Sequence, residues 1–201
     1  GRQICGSGAY GTESGNAYRR SKPVTGEIIM AKEEIKMSVA KVKEYLKQWD
    51  KDKDVREFDE SSATVELAAH AVGVIPARIA KTLSFLSKDG EHCSLIVAAG
   101  DAKIDNPKYK HFFGCKAKML SPEEVERFTG HAIGGVCPFA NPEGRVTTYL
   151  DESLKRFDTV FPAAGSASSA VEMTCEELYV CSGAAGWIDV CKGWQTENAA
   201  Q

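Results

Sequence analysis

Two hydrophobic periods alternate along most of this chain. In SVAKVKEYLKQWD the apolar residues Val39, Val42, Leu46 and Trp49 fall at helical spacing, and Ser38 is placed to cap the helix they predict. VREF, at residues 55–58, reads as a short strand. A second helix follows Ser61 and Ser62 and stops at Gly73, while Pro76 opens another helical turn. AKTLSFLS and HCSLIVAA then predict a hairpin, with Asp89-Gly90 supplying a type I′ turn. Beyond it, KAKML, AIGGVCPF, RVTTYL, TVFPAAG and WIDVC read as strands. Two helices carry capping boxes: Ser121 with Glu124, and Thr174 with Glu177. About seven strands and five short helices in irregular order predict a single α/β (α+β) domain on a mixed, largely antiparallel sheet.

The first 36 residues lack either period and are rich in Gly, Ser and charge. They predict a flexible leader, native or added, ahead of a domain over 37–201. At 201 residues, 43% hydrophobic and 26% charged, the composition is that of a soluble globular protein. No apolar run reaches the roughly 18 residues of a membrane span, and no signal-peptide layout opens the chain. Seven scattered cysteines without a C-x-x-C pair argue against a zinc ribbon or a disulfide framework, and favour reduced thiols in the cytoplasm. Nor do the four histidines form a ligand cluster, so neither a metal nor a cofactor is expected. A net charge of −3 restricts any nucleic-acid contact to a local patch.

Several residues break the pattern. Lys81 shares a strand face with Leu83 and Phe85, so it either snorkels to solvent or enters a pocket as a fixed charge. Gly134, Gly135 and Pro138 interrupt an apolar run. Such a loop is either a β-bulge or a device that turns free N–H groups toward a carbonyl oxygen. Cys137, with His131 close in sequence, raises a thiol nucleophile, although a small buried thiol is commoner. The serines of GSASS form a turn or the rim of a polar pocket. Lys103, Lys108, Lys110, Lys116 and Lys118 make the densest basic region, by default a solvated face.

Together, ARIAKTLSF, the loop IGGVCPF some fifty residues on, and AAGSASSAVEMTCEEL resemble the YbaK / prolyl-tRNA-synthetase-associated editing domain, from about Met37 to Trp194. The resemblance moves Lys81 into the pocket and places Gly134–Pro138 on the family's G-x-x-x-P loop. It implies hydrolysis of mischarged tRNA, chiefly tRNA for proline carrying a small wrong amino acid such as Ala, Cys, Ser or Thr. The implied roles are catalytic for Lys81 and Gly134, and substrate-binding for Thr82, Gly135, Val136, Cys137, Pro138, Ser166 and Phe58. Cysteine-clearing members carry a more glycine-rich turn where this chain has Ser168-Ser169-Ala170-Val171, which speaks against a cysteine preference. A free-standing trans-editing factor is implied, acting on the tRNA acceptor end, with a synthetase as a possible partner and no membrane or DNA. The alternative is a non-catalytic module of the same fold that binds a tRNA end or a synthetase.

Overall fold

The computed structural model describes residues 25–58, 64–131 and 134–195. Helix α1 (Thr25–Leu46) buries Val39, Val42 and Leu46, the apolar face expected of it. It begins well before Ser38, however, because residues 27–37 contain no Pro or Gly to stop a helix and Gly26 falls in its first turn. Ser38 is therefore an interior residue and not a cap. The expected leader boundary at residue 36 falls inside this helix, and residues 1–24 lie outside the described part.

Strand β1 (Val55–Glu57) leads to α2 (Val65–Val72), capped by Thr64 and closed by Gly73. Ser61 and Ser62 lie outside the described residues. Pro76–Arg78 forms one 3-10 turn before β2 (Ile79–Leu86), which pairs antiparallel with β3 (Cys93–Ala99). The hairpin is as expected but its turn is not type I′. Gly90 has φ +74° while Asp89 stays out of the left-handed region, its carboxylate accepting from the N–H groups of Glu91 and His92. β4 (Lys103–Ile104) precedes α3 (Asn106–Phe113), a helix the hydrophobic pattern did not announce. Asp105 caps it, and Tyr109 is its one buried residue, packed against Phe85.

Helix α4 (Pro122–Thr129) carries the expected capping box and ends at Gly130. β5 (Val146–Asp151), β6 (Thr159–Pro162), β7 (Ser169–Val171) and β8 (Met173–Thr174) follow. The capped helix α5 (Cys175–Cys181), β9 (Gly186–Ile188) and β10 (Cys191–Lys192) complete the chain. Six strands form a mixed sheet in the order β8-β6-β2-β3-β5-β9; β1 pairs with β7 and β10 with β4 in two small sheets. Antiparallel pairings outnumber parallel ones by four to three only when the small sheets are counted. The central strand β3 is buried along its whole length, which explains its unbroken apolar run.

Two expected strands are absent. KAKML contributes a single bridge, Met119 to Phe85. Gly134–Phe139 is irregular, since Gly134 sits at φ +82° and Pro138 has no N–H for a ladder; Ala132 and Ile133 lie outside the described residues. Among the described residues, no helix is long and apolar enough to cross a membrane.

Candidate functional site

At one end of β2, a cavity of about 250 Å³ opens between α2, β6, the Gly134 loop and the Gly165–Ala170 turn. Six of the expected site residues line it: Phe58, Lys81, Thr82, Gly134, Val136 and Ser166. Gly135, Cys137 and Pro138 do not. They are buried within the loop and its packing.

Lys81 is half-buried, and its ammonium donates to the carbonyls of Gly100 (2.9 Å) and Ala102 (2.5 Å). An ammonium has three N–H bonds, so one is left for the cavity. Burial draws the Lys81 pKa below the ordinary lysine value. The turn that supplies these carbonyls requires its glycine: a Cβ on Gly100 would lie 2.0 Å from the carbonyl oxygen of Pro76. Arg156 clamps the same turn by a bidentate pair to Asp101 at 3.0 and 2.6 Å.

Across the cavity stand Gly134 and Val136, whose N–H groups have no acceptor among the described residues. The loop is pressed against the serine turn: a Cβ on Gly135 would stand 2.6 Å from the carbonyl oxygen of Gly165. Gly165 in turn, at φ +95°, packs against the backbone of Ser38. Within the turn, the Ser166 hydroxyl donates to that of Ser169 (2.9 Å), which donates to the Ser166 carbonyl (3.2 Å). Phe58 N–H bonds the carbonyl of Ser168, closing the wall.

His131 and Cys137 do meet, with Nε2 and Sγ 3.6 Å apart, but both are 0% exposed. Nε2 lies 3.0 Å from the Phe139 carbonyl, which can only accept, so Nε2 carries the proton and cannot take one from the thiol. Nδ1 then accepts from the Ser38 hydroxyl at 3.3 Å. Burial lowers the His131 pKa and pushes the Cys137 thiol up to about 12. This sealed group braces the loop and offers no thiolate, so the cysteine-hydrolase reading finds no support in the geometry.

The pattern of the sequence missed Ile79, Phe161, Val65 and Ala68, which form the apolar wall. Phe161 carried only the signal of a strand residue, though Arg78 lies 5.2 Å over its ring. Of the lysine group, Lys103, Lys110, Lys116 and Lys118 are exposed, Lys108 pairs with Asp189 at 2.7 Å, and none lines the cavity. Among the described residues no group of three or more His, Cys, Asp or Glu could hold a metal ion, and the six described cysteines are free.

Three similarities bear on this geometry. The uncharacterized protein YwhH of Bacillus subtilis (strain 168) is 56% identical over 162 residues, covering 79% of this chain and 100% of that one. The proline–tRNA ligase of Thermotoga neapolitana is 32% identical over 95 residues, 47% of this chain but only 16% of the ligase. A crystal structure described as a candidate trans-editing enzyme for prolyl tRNA synthetase superposes with a TM-score of 0.69 at 31% identity, covering 78% of this chain and 98% of its own. The model of the aminoacyl-tRNA editing domain matches residues 59–179, which include the cavity's lysine, the G-x-x-x-P loop and the serine turn, and the chain belongs to that family.

Proposed function

We propose that the cavity hydrolyses the ester of mischarged aminoacyl-tRNA, acting in trans on tRNA for proline that carries a small wrong amino acid. The observation that carries this reading is the pairing of an oriented cation with open backbone donors across one small cavity. Lys81, fixed by two carbonyls, keeps one donor for the terminal adenosine or its phosphate. Gly134 and Val136 offer N–H groups where the ester carbonyl would gain negative charge.

In the reaction, water attacks the ester carbonyl and the carbonyl oxygen takes up the developing charge. The bond to the ribose oxygen then breaks, and the ribose hydroxyl leaves with a proton originating from water. An aminoacyl ester is already activated, so positioning and charge stabilisation suffice without a protein nucleophile. The apolar wall of Ile79, Val136 and Phe161 bounds the amino-acid side chain by size. Such a second pocket is useful because small differences in apolar bulk discriminate only about 10–200-fold in a synthetase site. The setting is the cytoplasm, where a synthetase supplies the mischarged tRNA and contributes tRNA affinity to an acidic factor.

The test is deacylation of labelled Ala-, Cys-, Ser- and Thr-tRNA, each on the proline and cognate acceptors, by wild type and Lys81→Ala. Turnover of one or two species, lost by about 100-fold or more in the variant, is expected when a positioning group of this kind is removed. No turnover of any species, with tRNA binding intact, would overturn the reading and leave a binding module.

A further inference from the structure

The turn that holds the cavity lysine faces two cations. Gly100–Ala102 follows β3 and closes through the Ala102 N–H, which donates to the Ala99 carbonyl at 3.0 Å. Its Gly100 and Ala102 carbonyls receive Lys81. The side chain between them, that of Asp101, receives Arg156 on both carboxylate oxygens. Arg156 ends the 3-10 segment Glu152–Arg156, and every part of its guanidinium is engaged. Nε donates to the Ser153 carbonyl at 2.9 Å, and one terminal nitrogen also donates to the Trp194 carbonyl at 3.1 Å. The group lies over the rings of Phe157 and Trp194 as well.

This is not a solvent-screened surface pair. The Arg156 side chain is 18% exposed and that of Asp101 31%, whereas the pairs of Arg56 and Arg78 with Glu172 stand at 3.5 Å. Two further contacts reach the same turn. The Ala99 N–H donates to the Ser153 hydroxyl at 3.1 Å, and β10 pairs with β4 directly after the turn. The direction of an ammonium bound to two carbonyls is set by where those carbonyls stand. A shift of about 1 Å in either one turns the third N–H away from its target. Arginine suits the clamp because it grips both carboxylate oxygens and stays charged at every working pH.

We propose that Arg156 and Asp101 are the positioning pair of the cavity lysine, holding the Gly100–Ala102 turn so that its carbonyls direct Lys81 and leave one N–H for substrate. What that N–H meets rests on the editing reading above; the clamp itself does not. The charged groups that act on Lys81 are Asp101 and Glu66, which favour its ammonium, and Lys103, which opposes it together with burial. Burial also keeps the nearby Cys191 thiol protonated, so it brings no charge at neutral pH. Asp101→Asn therefore removes a supporting charge and moves the Lys81 pKa down. Arg156→Gln removes a cation and leaves the Asp101 carboxylate unneutralised, which moves the Lys81 pKa up.

The experiment titrates Lys81 by trace acetylation with acetic anhydride across pH 7–11, read by peptide mass spectrometry, in wild type, Asp101→Asn and Arg156→Gln. Deacylation of a species that wild type clears is measured over the same variants. Opposite shifts in the Lys81 titration are expected, with the alkaline limb of kcat/KM following each. Both variants loosen the turn, so both are expected to lose about 10–100-fold in kcat/KM although their charge changes are opposite. Shifts in one common direction, or none, would overturn the proposal, as would wild-type kcat/KM in either variant. Should Arg156→Gln fail to fold, Arg156→Lys keeps the charge without the fork: its Lys81 titration should stay near wild type while kcat/KM falls about tenfold, and a full rate would overturn the clamp. If no species turns over even in wild type, the editing reading itself fails, and the direction of the titration shifts decides the proposal alone.

Discussion

Gly135→Ala isolates the contact that joins the two walls of the cavity. Gly135 lies outside the left-handed region, so alanine suits its backbone and only space is at issue. The new Cβ would stand 2.6 Å from the Gly165 carbonyl oxygen, 3.1 Å from the Gly165 carbonyl carbon and 3.3 Å from the Ser166 Cα. Optimal non-bonded separations are about 3.5 Å or more, and all three neighbours are backbone, so no flexible side chain can turn away. The loop and the serine turn must separate by close to 1 Å, a strain typical of overpacked cores at about 1–3 kcal/mol. That displacement also carries Gly134 and Val136 away from Lys81, and a 1 Å misplacement of a positioning group can cost about 100-fold in rate.

Urea denaturation of Gly135→Ala, beside a deacylation assay, reads both effects. Gly144→Ala is the control: its φ is +73°, but nothing lies within 4 Å of the added Cβ, so it stores left-handed strain without touching the cavity. The control is expected to lose about 1–2 kcal/mol and keep its activity, whereas Gly135→Ala loses both. A Gly135→Ala protein with wild-type denaturation midpoint and wild-type deacylation would refute the packing argument.

Two further outcomes follow from the sealed group behind the loop. The His131 pKa is lowered from 6.5 by burial, so on acidification through about 6.5 the unfolded imidazole takes up a proton that the folded one refuses. Stability should therefore fall from pH 7.5 toward pH 5 more steeply in wild type than in His131→Gln; parallel slopes in urea melts would contradict this. Cys137, 0% exposed and with its thiol pushed up to about 12, should escape iodoacetamide in the native state and react once unfolded. Peptide mass spectrometry checks the labelling, and loss of deacylation in step with native Cys137 modification would overturn the bracing role.

Elements whose signals are local were legible in the chain. The capping boxes at Ser121 and Thr174 need only a side chain and an N–H three residues on, so their motif predicts the bond directly. The apolar face of α1 and the β2–β3 hairpin follow from periodicity in the same way. Ser38 shows the limit: a residue suited to a cap lies inside a helix, and its hydroxyl instead meets His131, 93 residues away. Helix α3 was missed since a single buried tyrosine gives no period, although Asp105 and Pro107 carried the cap.

The candidate site divides along the same line. Composition and spacing marked Lys81, Gly134 and the serine turn as departures from pattern, and the resemblance grouped them. What each does was decided by atoms remote in sequence. Lys81 finds its acceptors 19 and 21 residues away. Gly135 is needed because Gly165 presses on it. Local sequence determines which conformations a segment can adopt. Which polar groups remain unsatisfied, and which backbones approach too closely for a Cβ, depend on distances that exist only after the sheet has brought these segments together.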